Sequence, residues 1–188
     1  GFSEWTAEQI AAGLKIQDQR GYNRFISSQP QYSALWRVIE AEVVPLSRKE
    51  GIGQIVWSPM AQGVLTGKYL PGKKPPSGSR ATDKKSGAAM ISRWMRDDVL
   101  TAVQKLKPIA ESVDLTMSQL ALAWVLQNDN VSSAIMGATK PSQIKDNVKA
   151  AGIKLPLDVM TKIDEAIGAV AERDPKKNVS PNPRPVWE

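Results

Sequence analysis

Two short segments hold the residue types from which a ligand site could be built. The first is Ser58-Pro59-Met60-Ala61-Gln62-Gly63-Val64-Leu65-Thr66-Gly67-Lys68, which directly follows the apolar run Gln54-Ile55-Val56-Trp57. It offers small residues, backbone N–H groups, hydroxyls and a lysine, a set that suits a phosphate or pyrophosphate. It is not a P-loop, because only three residues separate Gly63 from Gly67 and Tyr69 stands where Ser or Thr is needed. A plain Gly-rich turn is the competing reading. The second segment runs from Gly137 to Asn147 and follows Val131–Met136. Its Thr139, Gln143, Asp146 and Asn147 have spacings that can share one helical face, and a helix start presents free N–H groups. Helix capping with a solvated face explains the same spacing. Trp57, just ahead of the first segment, suits either a core or a flat wall for a nicotinamide or base. Gln29 reads as a turn residue or as a carboxamide reader. Trp5, Trp36, Trp94, Trp124 and Trp187 read as packing.

Composition narrows the chemistry. The 188 residues contain no cysteine and no histidine. Disulfides, thiolate nucleophiles, Cys-bound zinc, His-metal sites and a Ser-His-Asp triad are therefore excluded within this chain. A metal could be held only by carboxylates, carbonyls and water. The net charge is +6. From Leu65 to Gly87 there are six basic residues (Lys68, Lys73, Lys74, Arg80, Lys84, Lys85) against Asp83, while the other residues carry 19 basic and 18 acidic groups. The excess is thus confined to one loop. It points to a local anionic partner rather than to a face tracking a nucleic acid duplex, and no nucleic acid partner is expected. No apolar run approaches the ~18–20 residues that span a bilayer, so no membrane partner is expected. Gly1-Phe2-Ser3-Glu4-Trp5 has neither the basic nor the apolar region of a signal peptide. With the absence of cysteine, this fits a cytoplasmic protein.

The elements that must position these segments alternate. Thr6-Ala7-Glu8-Gln9 is a capping box, and it predicts a helix to about Gln19 with Ile10, Leu14 and Ile16 apolar and Gly21 as its stop. Arg24–Ser28 reads as a short strand. A helix is expected from about Leu35 to Lys49, kinked or delayed by Pro45. Gln54–Trp57 and Val131–Met136 read as strands buried on both faces. Ser58 to about Ser86 reads as a long stretch without regular structure, functional or disordered. A helix over about Ile91–Val113 is bent or interrupted by Pro108. A second capping box, Thr116-Met117-Ser118-Gln119, opens a helix to about Gln127. Further helices cover Lys140–Lys149 and Pro156–Ile167, each with a proline in its first turn. Strand alternating with helix is the pattern of a parallel α/β sheet with crossover helices. Three strands, with the tail of a fourth just before Gly1, would leave both sheet edges open. Both candidate segments follow strand C-terminal ends, where ligands sit in such folds.

Several of these pieces also occur together in a known family. The chain from Gly1 to about Gly168 resembles the C-terminal half of the aldo-keto reductases, in the branch that includes potassium-channel β-subunits and related bacterial reductases. The resemblance rests on Gly1-Phe2-Ser3-Glu4-Trp5, Gln29-Pro30-Gln31-Tyr32, Trp57 to Gly63 with Gly67-Lys68-Tyr69, Gln119-Leu120-Ala121-Leu122-Ala123-Trp124, and Gly137-Ala138-Thr139 with Gln143 and Asp146-Asn147. It implies half of a TIM (β/α)8 barrel over residues 1–168, with a cofactor-binding loop at 58–90 and a tail at 169–188 that wraps the surface or is disordered. It also implies NADP(H) as cofactor. Ser3 and Gln29 would hold the nicotinamide carboxamide, and Trp57 would stack on its ring. Ser58, Pro59, Met60, Ala61, Gln62 and Lys68 would line the pyrophosphate, and Arg80 would reach the adenosine phosphate end. Gly137, Thr139, Gln143, Asp146 and Asn147 would take the adenosine. Many members carry Asn or Arg after the Ser of the first motif; Glu4 stands here instead, and no carboxamide role is carried over to it. The family reduces small carbonyl substrates by hydride transfer with a Tyr, Asp, Lys and His that all belong to the N-terminal half. None is assigned here, and Tyr32 matches a family tyrosine other than the catalytic one. The resemblance thus implies a reductase whose partner is the N-terminal half-barrel, with this chain inactive alone; a non-catalytic regulatory subunit is the alternative.

Overall fold

In the computed structural model, which describes residues 1–85 and 87–178, three parallel strands form a sheet in the order β1 (Ser27–Ser28), β2 (Gly53–Trp57), β3 (Val131–Ile135). Only the last two residues of the expected Arg24–Ser28 strand pair with β2. The sheet continues through single bridges from Phe2 to Ser28 and from Gln31 to Trp57. The Phe2 N–H donates to Ser27 O at 3.2 Å, and Gln29 N–H donates to Phe2 O at 2.8 Å. The chain at Phe2 therefore pairs as a further parallel segment beside β1.

Both capping boxes form. Gln9 N–H donates to Thr6 Oγ1 at 3.2 Å and Thr6 N–H donates to Gln9 Oε1 at 3.0 Å, which starts α1 (Ala7–Arg20). Gly21, at φ 68°, ends it in the left-handed conformation that glycine adopts without a Cβ penalty. Ile10 and Leu14 are buried, but Ile16 is 56 % exposed and does not belong to the apolar face. Helix α2 (Val43–Lys49) begins eight residues later than Leu35. Residues before it are committed elsewhere: Ser33 and Trp36 exchange backbone hydrogen bonds, and Arg37 N–H donates to Glu172 O at 2.7 Å. Pro45 falls in the first turn of α2, where a missing N–H costs little.

The expected helix over 91–113 is broken into α3 (Gly87–Ile91), α4 (Asp97–Gln104) and α5 (Leu106–Glu111). Extended Arg96 separates the first two, after a 3₁₀ turn at Ser92–Trp94. Pro108 lies in the first turn of α5 and so dictates that a new helix begins there. Helix α6 (Met117–Leu126) is buried from Gln119 to Val125. Then come α7 (Pro141–Asn147) and α8 (Leu157–Ile167), the latter burying Val159, Ile163 and Ile167 along one face.

The strands are not buried on both faces. In β2, Gln54 and Val56 are fully buried while Gly53, Ile55 and Trp57 are half-buried. In β3 only Val131 is buried, and Ile135 is 43 % exposed. One face of the sheet packs against helices in a core that includes Leu35, Ile39, Val56, Leu65, Val103, Leu120, Val125 and Ile163; the other is open. The stretch after Ser58 is also more ordered than its composition implies. Ala61–Thr66 form short 3₁₀ turns broken by a kink at Gln62 and Gly63, and Val64, Leu65 and Tyr69 from this loop enter the core. After α8, Glu172 bridges to Trp36 and the Asn178 side chain donates to Trp5 O at 2.7 Å. The rest of the tail, with Trp187, lies outside the described residues.

Candidate functional site

Strand pairing collects the sequence-selected residues at one edge. Trp57 is the register partner of Ile135, so the segments that begin at Ser58 and Met136 leave the sheet side by side. Trp57 N–H donates to Pro30 O at 3.0 Å and Tyr32 N–H donates to Trp57 O at 3.2 Å, which places Gln29 at the same edge. The Ser3 hydroxyl donates to Gln29 O at 2.6 Å. Ser3, Gln29, Trp57, Ser58 and Gly137 therefore share the C-terminal edge of a parallel sheet, the side where such folds bind ligands.

The loop after β2 folds back on itself through an unusual backbone. Ser58, Ala61 and Gln62 have φ values of 55°, 46° and 57°, and Gly63 and Gly67 have 101° and 74°. Left-handed non-glycine residues cost roughly 1–2 kcal/mol each. Burial of Ala61, Val64 and Leu65, with Ala61 N–H on Ser58 O at 2.9 Å and Gly63 N–H on Met60 O at 3.0 Å, holds the shape. Successive residues of mixed hand turn their N–H groups into anion-binding concavities. Pro59 is buried and Met60 packs against the core. Lys68 lies across Gly63, so that a Cβ at position 63 would sit 3.1 Å from its ammonium. Gln62 Oε1 is buried and has no hydrogen-bond partner among the described residues. No ion pair among them uses Lys68, Lys73 or Lys74. Arg80 is exposed in a 3₁₀ turn whose carbonyl packs so close to Gly87 that a Cβ there would meet it at 2.6 Å. A loop of mixed-hand backbone with lysines outside any ion pair among the described residues has the chemistry to take an anion.

The second segment is brought together, but its polar groups have local partners. Gln143 Oε1 accepts from Thr139 N–H at 2.8 Å, from the Thr139 hydroxyl at 3.2 Å and from Lys140 N–H at 3.2 Å. This is helix capping, the structural alternative left open by the spacing. Gly137 has open space around it. Asn147 is buried, and Asp146 turns toward Gln119, whose amide donates to its carboxylate at 3.0 Å and to its carbonyl at 3.0 Å. In the sequence Gln119 stands out as a capping residue and as the first residue of the Gln119–Trp124 motif, with no part in the site. Its Oε1 does accept from Thr116 N–H at 3.0 Å, and the same side chain ties α6 to α7. A Cβ on Gly67 would lie 3.3 Å from the Met117 methyl. The start of α6 thus supports both candidate segments.

Glu4 is the second residue that sequence reasoning left out. It is 7 % exposed with φ 56°. Its Oε1 accepts from Gln31 N–H at 2.5 Å and from the Trp57 indole N–H at 2.9 Å. Burial pushes its carboxyl above the usual value of 4.5, against the lowering pull of those two donors. The only hint in the sequence was its departure from Asn or Arg. Tyr32, by contrast, is closed off: its hydroxyl donates to Glu40 at 2.8 Å, and burial, with Glu40 beside it, drives its phenol above the normal range. Among the described residues there is no group of three or more Asp and Glu side chains able to hold a metal ion, and no helix is long and apolar enough to cross a membrane.

The description "Aldo/keto reductase family" belongs to a family model that matches residues 1–168. The chain is 42 % identical over 177 residues to a "Probable voltage-gated potassium channel subunit beta" of Arabidopsis thaliana, covering 92 % of this chain and 53 % of that protein. It is 40 % identical over 181 residues to a protein of the same name from Oryza sativa subsp. japonica (96 % and 54 %). It is 41 % identical over 171 residues to a "Putative voltage-gated potassium channel subunit beta" of Schizosaccharomyces pombe (89 % and 49 %). The chain spans about half the length of the curated relatives it matches. Its match over residues 1–168 and its identity to these relatives together place it in the aldo/keto reductase family.

Proposed function

We propose that this chain is the cofactor-binding part of an NADP(H)-dependent carbonyl reductase in the cytoplasm, and that its open sheet is part of a TIM barrel. The observation that carries the reading is the loop after β2: left-handed backbone at the sheet edge that Trp57 closes, with the Lys68 ammonium beside Gly63 and outside any ion pair among the described residues. Ser3 and Gln29 would hold the carboxamide, with Trp57 as a half-buried flat wall. Ser58, Pro59, Met60, Ala61, Gln62 and Lys68 would surround the pyrophosphate. Arg80 would favour a 2′-phosphate, for which a guanidinium fork is suited. Gly137, Thr139, Gln143, Asp146 and Asn147 would receive the adenosine. The chemistry that NADP(H) would supply there is hydride transfer to an aldehyde or ketone. By the family resemblance, the Tyr, Asp, Lys and His of the reaction would come from an N-terminal half, and Tyr32, engaged with Glu40, does not replace that tyrosine. The 188 residues alone are then expected to have no reductase activity, and pairing with an N-terminal half-barrel to restore it.

Titration of NADPH against tryptophan fluorescence tests the site. Quenching that disappears in Trp57→Ala supports it; unchanged fluorescence at millimolar cofactor overturns it. The names of the relatives favour a second reading, a non-catalytic NADP(H)-binding regulatory subunit. Turnover of simple aldehydes by the completed protein, with no membrane protein recovered alongside it, argues against that reading.

A further inference from the structure

Glu4 is a buried carboxylate without a counter-cation. None of the ion pairs among the described residues includes it. Two neutral N–H donors, from Gln31 and from Trp57, share one of its oxygens. Its backbone is left-handed, and its side chain is buried with Oε1 at the Trp57 indole N–H. Removing a charge from water without an opposite charge is costly. Capping Gln31 N–H alone would need only a neutral acceptor. The arrangement is explained if an opposite charge arrives with the ligand, over a face of the indole that Glu4 polarises from its N–H edge.

We propose that Glu4 is a positioning residue that makes the Trp57 wall discriminate between redox states, favouring the cationic ring of NADP+ over the neutral ring of NADPH. This rests on the cofactor reading given above. The hydrogen bond to Nε1 fixes the tilt of the indole, and it raises electron density on the face offered to the nicotinamide. A positive ring stacked there gains attraction from both the indole face and the carboxylate at the indole's N–H edge. A neutral ring gains only the stacking. A unit charge at the edge of the stacked pair in a half-buried setting is worth on the order of tenfold in affinity. Tenfold in the ratio of the two affinities equals about 30 mV for a two-electron couple.

The test is calorimetric titration of wild type and Glu4→Gln with NADP+ and with NADPH. The glutamine oxygen can keep both N–H contacts, so shape is retained and only the charge is lost. The expected result is about tenfold weaker NADP+ binding with NADPH affinity unchanged within about twofold. Equal weakening of both forms would show a merely structural role and overturn the proposal, as would no change in either. If wild type binds neither form, the cofactor reading itself fails; if it binds both and Glu4→Gln leaves their ratio unchanged, only the inference about Glu4 fails. Should the variant not fold, wild type decides: its preference for the 1-methylnicotinamide cation over neutral nicotinamide should fall as pH is lowered and Glu4 takes up a proton, and a pH-independent preference refutes the idea.

Discussion

Gly63→Ala separates the geometry of the loop from its charge. Gly63 sits at φ 101°, and a Cβ there would lie 3.1 Å from the Lys68 ammonium and 3.3 Å from its Cε. The substitution has two consequences of different kinds. The first is backbone strain of roughly 1–2 kcal/mol for a non-glycine residue in this region, which lowers the melting temperature by about 2–8 °C for a chain of this size. The second is displacement of Lys68, the flexible partner, from its place over Gly63. A charge-assisted hydrogen bond to a phosphate is worth about 1.5–3 kcal/mol, so losing it weakens NADPH binding by about ten- to a hundredfold. Lys68→Ala should weaken binding by the same factor with little change in melting temperature, because Lys68 is exposed and the contact of its ammonium with the Tyr69 ring, 5.2 Å from the ring centre, is worth about 0.5–1 kcal/mol at an exposed site. The two substitutions act through one contact, so the double variant should bind no more weakly than Lys68→Ala alone. Titration calorimetry on the four proteins closes the cycle. Additive losses in the double variant would refute the argument, since they would mean that Gly63 matters to binding without acting through Lys68.

Three further outcomes follow from other contacts. Gln119→Ala removes both the α6 capping box and the tie to Asp146, and chemical denaturation should show a loss of about 1–2 kcal/mol; Gln119→Glu, which sets a second carboxylate against Asp146, should be no more stable than Gln119→Ala. Asp164→Asn uncovers the buried Arg37 guanidinium, which it meets at 2.6 Å; since Asp164 itself is half exposed, the loss should be about 1–2 kcal/mol rather than the 3–5 of a fully buried pair, and a denaturation midpoint equal to that of wild type would contradict it. Glu4 has its carboxyl raised in the folded chain, so the folded state holds the proton more tightly than the unfolded one. Its contribution to stability is full below the unfolded value of about 4.5 and is lost as pH rises through the folded value. Relative to Glu4→Gln, wild type should therefore lose melting temperature between pH 4 and 7; a constant difference would contradict this.

Local chemistry made some elements readable and tertiary pairing decided the rest. The two capping boxes at Thr6 and Thr116, the Gly21 stop and the prolines opening α7 and α8 act within four residues, and each formed where the sequence put it. Residues 35–42 read as helix because their apolar spacing is helical, but Trp36 and Arg37 are held by backbone bonds to Ser33 and Glu172, and the latter lies 135 positions away in the chain. Apolar runs at Gln54–Trp57 and Val131–Met136 signalled burial on two faces. A run of that kind records the residues a strand owns, not how many neighbours cover it, and here one face is open.

The site divides along the same line. The segments after β2 and β3 were visible because each concentrates small, hydroxyl-bearing and basic residues within a dozen positions. Glu4 and Gln119 were not, because their partners lie 53 and 27 residues away: the Trp57 indole for one, Asp146 for the other. In a parallel sheet, neighbouring strand ends are always separated by a whole crossover, so the side chains that brace a ligand wall come from distant parts of the chain. Contact residues can then share a short motif, while the residues that hold them in place cannot. The sequence signal for such a brace is a polar residue of the wrong type beside a motif, as Glu4 is beside Ser3. Its charge, buried with two N–H donors and no cation, is what distinguishes this edge from a neutral stacking platform.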